Sequence, residues 1–157
     1  MKTTLTKLSF TLLTIFCVNL IQAQEDLVPG INYSYDPPGA DGIINNIEVD
    51  YCNNESSFTF SFDVSMYLYD QSSGDHWVIG TINSSGVSGF ACNTYSDWDI
   101  NINDTPGIPM GVYRLGIWVD SNDDVSETDE NNNTGLLAGN INYNPSAVGI
   151  HSLKNNL

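Results

Sequence analysis

After the first two dozen residues, apolar and polar side chains alternate with a period of two, and no 3.6-residue helical period appears. The longest run sets Phe58, Phe60, Phe62, Val64, Met66 and Leu68 against Thr59, Ser61, Asp63, Ser65, Tyr67 and Tyr69. Apolar side chains at every second position predict a strand at the centre of the core, with its polar positions on the opposite face. A second clean run sets Tyr113, Leu115, Ile117 and Val119 against Val112, Arg114, Gly116 and Trp118. Shorter runs predict strands over 43–52, with Ile47, Val49 and Tyr51 opposed to wet Glu48 and Asp50, and over 76–82, 90–102 and 136–143. Leu27, Val28, Ile31 and Tyr33 flank Pro29-Gly30 and predict an edge strand, where the missing proline N–H is tolerated.

Clusters of Gly, Pro, Asn, Asp and Ser separate these runs every 8–12 residues or so. About seven strands spaced this way predict an all-β fold, a two-sheet sandwich with Greek-key connections.

The start of the chain has another character. Lys2 and Lys7 precede an apolar stretch over 8–21, and Ile21-Gln22-Ala23 offers a small-residue cleavage site, so residues 1–23 are expected to be a signal peptide. The apolar stretch is shorter than the roughly 20 residues of a membrane span. Phe16 stands before Cys17 where a lipoprotein signal needs a small residue, so lipid anchoring is not expected. Cleavage would leave two basic residues, Arg114 and Lys154, against all 19 acidic ones, a formal charge of −17. Such a surface repels phosphate backbones and anionic head groups, which argues against nucleic acid and membrane surfaces as partners. One domain is expected over 24–144, with an irregular tail or linker at 145–157 whose wording resembles the spacer before a sorting domain in exported Bacteroidetes proteins. The expected setting is secreted, extracellular or at the cell surface, as a monomer or a module of a larger chain.

Cys52 and Cys92 survive cleavage, and an even pair in an exported chain reads most simply as a disulfide, the alternative being two buried thiols.

Chemistry is sparse. His76 and His151 have no nucleophile or carboxylate motif beside them, and no phosphate loop or zinc motif is present, so no enzyme is expected. Two constellations remain. Residues 120–130 hold six carboxylates, and Asp120, Asn122 and Asp124, with Glu127 and Asp129, have spacings by which a turn can offer oxygens to calcium. Val125 stands where an EF-hand needs glycine, and the alternative is that Asp and Asn form turns while Glu127 and Glu130 cap them or stay solvated. Trp118, Tyr67 and Tyr69 fall on polar faces of their strands and are candidates to stack a sugar or meet a protein, or to be ordinary cross-strand pairs.

The segment 111–133 resembles the C-terminal half of a CARDB module, the cell-adhesion-related domain found in bacteria. The resemblance is carried by Gly111, Tyr113, Asp120, Asn122, Val125, Glu127, Glu130, Asn132 and Asn133 in a G-x-Y, strand, Asp, turn, V-x-E-x-x-E-x-N-N arrangement. It implies an extracellular immunoglobulin-like sandwich acting as an adhesive or accessory module, whose partner is an extracellular protein or, alternatively, a glycan held by the exposed aromatics.

Overall fold

The computed structural model describes residues 25–56 and 59–145. The expected signal peptide, Phe58, and the expected tail beyond residue 145 lie outside the described residues.

Eight strands follow in order: β1 (Leu27–Asp36), β2 (Ile43–Asn53), β3 (Phe62–Tyr69), β4 (His76–Ser84), β5 (Ala91–Asn101), β6 (Gly111–Val119), β7 (Thr134–Leu136) and β8 (Ile141–Tyr143). A 3-10 turn at Ile102–Asp104 separates β5 from β6. One sheet has the order β1-β2-β5; the other has the order β4-β3-β6-β7, with β8 pairing farther along β6. All strand pairings are antiparallel. The connections β2 to β3, β4 to β5 and β5 to β6 cross between sheets, giving the expected two-sheet Greek-key sandwich.

The inner faces meet where the alternation placed them. Tyr113, Leu115, Ile117 and Val119 of β6 are buried against Val64, Met66 and Leu68 of β3, and across the sandwich lie Ile44, Ile47, Val49 and Tyr51 of β2. Each such side chain contributes about 1.5–3 kcal/mol relative to exposure, so β3 and β6 anchor the fold.

Four local readings of the sequence are corrected. The strand expected from Phe58 begins only at Phe62, and Phe60 is 79% exposed. The phase breaks at Thr59, which is fully buried: its N–H donates to the Val87 carbonyl at 3.0 Å, and its Oγ1 accepts the Val87 N–H at 2.8 Å. Gly86, at φ +103°, passes so close that a Cβ would stand 2.2 Å from the Thr59 carbonyl oxygen. Asp50, expected to be wet, is covered instead: Asn32 Nδ2 and Thr94 Oγ1 donate to its carboxylate at 2.7 and 2.6 Å. The closing strand over 136–143 is two strands: the Leu137 N–H still donates to the Leu115 carbonyl of β6 at 2.8 Å and Arg114 Nε donates to the Leu137 carbonyl at 2.9 Å, and Ala138 to Asn140 then bulge away before β8 pairs with β6. The Tyr33 hydroxyl accepts the Ala138 N–H at 2.8 Å and the Tyr35 hydroxyl donates to the Ala138 carbonyl at 2.7 Å, so β1 grips this bulge from the other sheet. Tyr67, expected on an exposed face, is covered as well.

Cys52 and Cys92 form a disulfide between directly opposed positions of β2 and β5, with Cα atoms 3.9 Å apart. The bond therefore staples neighbouring strands of one sheet rather than the two sheets to each other.

Leu27 at the start of β1 pairs with Asn53 at the end of β2, whereas Tyr143 at the end of β8 pairs with Gly111 at the start of β6. The chain therefore enters the sandwich at one end and leaves at the other. The connections that follow β2, β4 and β6 share the entry end.

Candidate functional site

The acidic loop leaves β6 at Asp120, a buried residue with φ +50°. Its two carboxylate oxygens accept the N–H groups of Asp124 and Val125 at 3.0 and 2.9 Å, which folds the loop back on itself. Burial raises the Asp120 carboxyl above its usual range, opposed by those two N–H groups and helped by the charges of Asp124 and Asp123. Glu127 is also buried. It accepts the backbone N–H of Leu27 and, at 2.7 Å, the side-chain amide of Asn133. Glu130 Oε1 accepts the Glu127 N–H at 2.8 Å, and the Thr128 N–H donates to the Glu25 carbonyl at 2.8 Å. The loop is thus a clasp that holds the beginning of β1.

The calcium set expected from sequence is not gathered around one centre. Asp120 spends its oxygens on backbone donors and Glu127 on the Leu27 N–H and the Asn133 side-chain amide, Asn122 Nδ2 donates to Asp63 at 2.6 Å, and Asp129 Oδ1 accepts the Asn131 N–H at 3.0 Å. Asp124 contributes its N–H to Asp120. Among the described residues, no group of three or more His, Cys, Asp or Glu side chains could hold a metal ion. Acid-rich spacing was visible in the sequence, but the N–H groups that claim the carboxylates come partly from Leu27, a hundred residues away.

The aromatic candidates do share a surface. Ser65 faces Trp118, Tyr67 faces Gly116 and Tyr69 faces Arg114 across the β3–β6 ladder, so Trp118, Tyr67 and Tyr69 occupy the outer face of one sheet. Tyr69 and Trp118 are half-buried, but Tyr67, expected to be exposed, is only 8% exposed. Gly116 explains this. A Cβ there would fall 2.2–2.6 Å from three atoms of the Tyr67 ring, so the ring lies down on the bare glycine backbone. Burial pushes the Tyr67 hydroxyl above its usual range, with the neighbouring Tyr69 adding to the effect.

Gly116→Ala is expected to displace this ring and to lower stability by about 1–3 kcal/mol, the range for overpacking. Denaturant unfolding, with tyrosine accessibility followed in the native state, checks both effects.

A residue the sequence reading left unassigned completes the surface. His76, opposite Tyr69 at the start of β4, places its ring centroid 6.1 Å from Tyr67 and 6.4 Å from Trp118, with interplanar angles of 76° and 70°. Together with Thr134 of β7, these rings line a cleft of about 210 Å³. Nothing in the local sequence around His76 signals this, since the neighbours are set by register alone.

The arrangement of strands has solved counterparts. The solution structure of a domain from a protein described as a cell surface protein of Methanosarcina acetivorans aligns with a TM-score of 0.53 and 20% identity, covering 77% of this chain and 93% of that one. The solution structure of the CARDB domain of a Pyrococcus furiosus protein aligns with a TM-score of 0.51 and 19% identity, over 76% and 94% of the two chains. The chain has a CARDB-like fold. A crystal structure of that same Pyrococcus domain in complex with di-metal ions aligns with a TM-score of 0.48 and 22% identity, over 76% and 94%. No protein-family model and no curated protein matches the sequence. Within this CARDB-like fold, Asp120, Glu127, Glu130 and Asn133 of the motif read from sequence all serve to fold the loop and clasp β1. No helix among the described residues is long and apolar enough to cross a membrane.

Proposed function

We propose that this chain is an exported, non-catalytic adhesive or accessory module that binds an extracellular protein through the outer face of the β4-β3-β6-β7 sheet. The convergence of Tyr67, His76 and Trp118 on one cleft carries this reading. Aromatic side chains contribute large contact area at low conformational cost, which is why interfaces are enriched in them. Val78 and Leu136, each 42% exposed, extend the apolar surface to either side of Tyr67. The disulfide and the cell-surface protein among the structural neighbours support an extracellular setting.

A carbohydrate-binding module is the second reading. Stacking a sugar calls for a broad platform of flat-lying rings. Here the His76 plane stands 76° from Tyr67 and 70° from Trp118, so no such platform is offered, which favours a protein side chain over a pyranose ring.

The test is the binding of the chain lacking residues 1–23 to a panel of purified extracellular-matrix proteins, run beside a glycan array. Saturable binding to a protein, weakened at least tenfold by Trp118→Leu at unchanged melting temperature, supports the proposal. Binding confined to glycans, or unaffected by the substitution, overturns it. We also expect millimolar calcium, or a chelator, to leave the melting temperature unchanged, because the loop carboxylates already hold backbone and amide donors. A calcium-dependent rise measured by calorimetry would contradict this.

A further inference from the structure

The size of the outer-face cleft limits what it takes. At about 210 Å³ it is smaller than the roughly 300–1,000 Å³ of pockets that enclose a small ligand, so it suits one side chain or head group. Its walls are rings set edge to face, with planes 70–76° apart, rather than stacked on one another. The faces of Trp and Tyr are the negative ends of their quadrupoles and attract a cation held within about 6 Å of the ring centroid. Thr134 lines the same cleft, and a threonine hydroxyl can accept a hydrogen bond from an ammonium or guanidinium donor.

The long-range field acts in the same sense. The sequence carries 19 acidic residues against four lysines and arginines, so the surface draws cations and repels anions. Arg114 is the one arginine or lysine among the described residues, and its guanidinium is committed to the Leu137 carbonyl. A neutral apolar side chain would fill the volume yet gain nothing from either the rings' quadrupoles or the field.

We propose that Tyr67, His76 and Trp118 form an aromatic cage for an organic cation, the ammonium or guanidinium head of a lysine or arginine presented by the partner protein. This rests on the reading of the sheet face as the binding surface and adds the chemistry of what it grips.

The test uses N-acetyl-lysine methylamide and N-acetyl-arginine methylamide as probes, with N-acetyl-norleucine methylamide as the neutral control, added to the chain lacking residues 1–23. NMR shifts of the Trp118 indole N–H and the His76 ring report occupancy. The expected result is saturable shifts with the cationic probes, at least fivefold weaker binding of norleucine, and about a fivefold loss with Trp118→Leu. His76→Lys places an ammonium in the cage from within and, at an exposed position, leaves the fold intact; it is expected to abolish probe binding. Equal affinity for norleucine and lysine, or no shift at Trp118 and His76 with either cation, overturns the cage. If Trp118→Leu abolishes partner binding while neither cation binds, the cage fails and the sheet-face reading stands. Probe binding at Trp118 with partner binding unaffected by Trp118→Leu has the reverse meaning.

Discussion

Replacing Glu127 with alanine is expected to lower the stability of the fold by about 2–4 kcal/mol, measured by denaturant unfolding at neutral pH. Two buried donors would lose their acceptor at once, the Leu27 N–H and the Asn133 amide, and leaving each unsatisfied costs about 1–3 kcal/mol. The same carboxyl should leave a pH signature. Burial pushes Glu127 up from its ordinary 4.5 to about 7; the hydrogen bonds from Leu27 and Asn133 oppose the rise, and the charges of Glu130 and Asp120 add to it. A raised carboxyl favours the protonated folded form, so its contribution is fully present below about pH 4.5 and is lost as pH rises to about 7. Asn133 Oδ1 is buried without a partner, and turning that amide over would offer it to a protonated carboxyl or to a glutamine amide. Glu127→Gln is therefore expected to remove this carboxyl's part of the pH dependence while keeping most of the stability. The many other carboxylates also titrate, so the informative quantity is the stability difference between Glu127→Gln and the parent. It should shift in favour of glutamine by up to about 3 kcal/mol between pH 4.5 and 7, whereas a constant difference across that range would contradict the raised carboxyl.

Reducing the Cys52–Cys92 disulfide is the second large effect. The cysteines are 40 residues apart in sequence, and closing a loop of that length restrains the unfolded chain by roughly 3–4 kcal/mol on the chain-entropy model. For a domain of this size that corresponds to a fall of about 10 °C in melting temperature. Cys52 lies at the margin of burial and Cys92 is exposed, so a soluble reductant reaches the bond without unfolding the protein. Thermal unfolding with and without dithiothreitol should show the drop, and a Cys52→Ser/Cys92→Ser chain should melt low in both conditions. A parent that melts at the same temperature when reduced would mean that the β2–β5 ladder already holds these positions without the bond.

The alternation made β6 legible because one face of that strand meets only apolar neighbours, so burial follows the period of two. Phe60 was misread for the same reason: the period continues through it, but the backbone of Thr59 is taken by Val87, and pairing of that kind leaves no mark on the local pattern. Tyr67 was legible as an outward position but not as a covered one, since its cover is the absence of a side chain at Gly116 on another strand. The candidate site divides likewise. Trp118, Tyr67 and Tyr69 were found by face, whereas His76 joined them only through the registers of β3 with β4 and β6. Glu127 reads in the sequence as a calcium ligand or a solvated acid because what it binds, Leu27, is remote in sequence.

Entry at Leu27 and exit at Tyr143 lie at opposite ends of the sandwich, and that bears on how the molecule carries load. A pull on the two flanking segments runs along the strands, so the bonds joining β1 to β2 and β8 to β6 are sheared together instead of being unzipped one by one. The Glu127 clasp sits at the point where tension would first enter, and the bulge gripped by Tyr33 and Tyr35 sits just before it would leave.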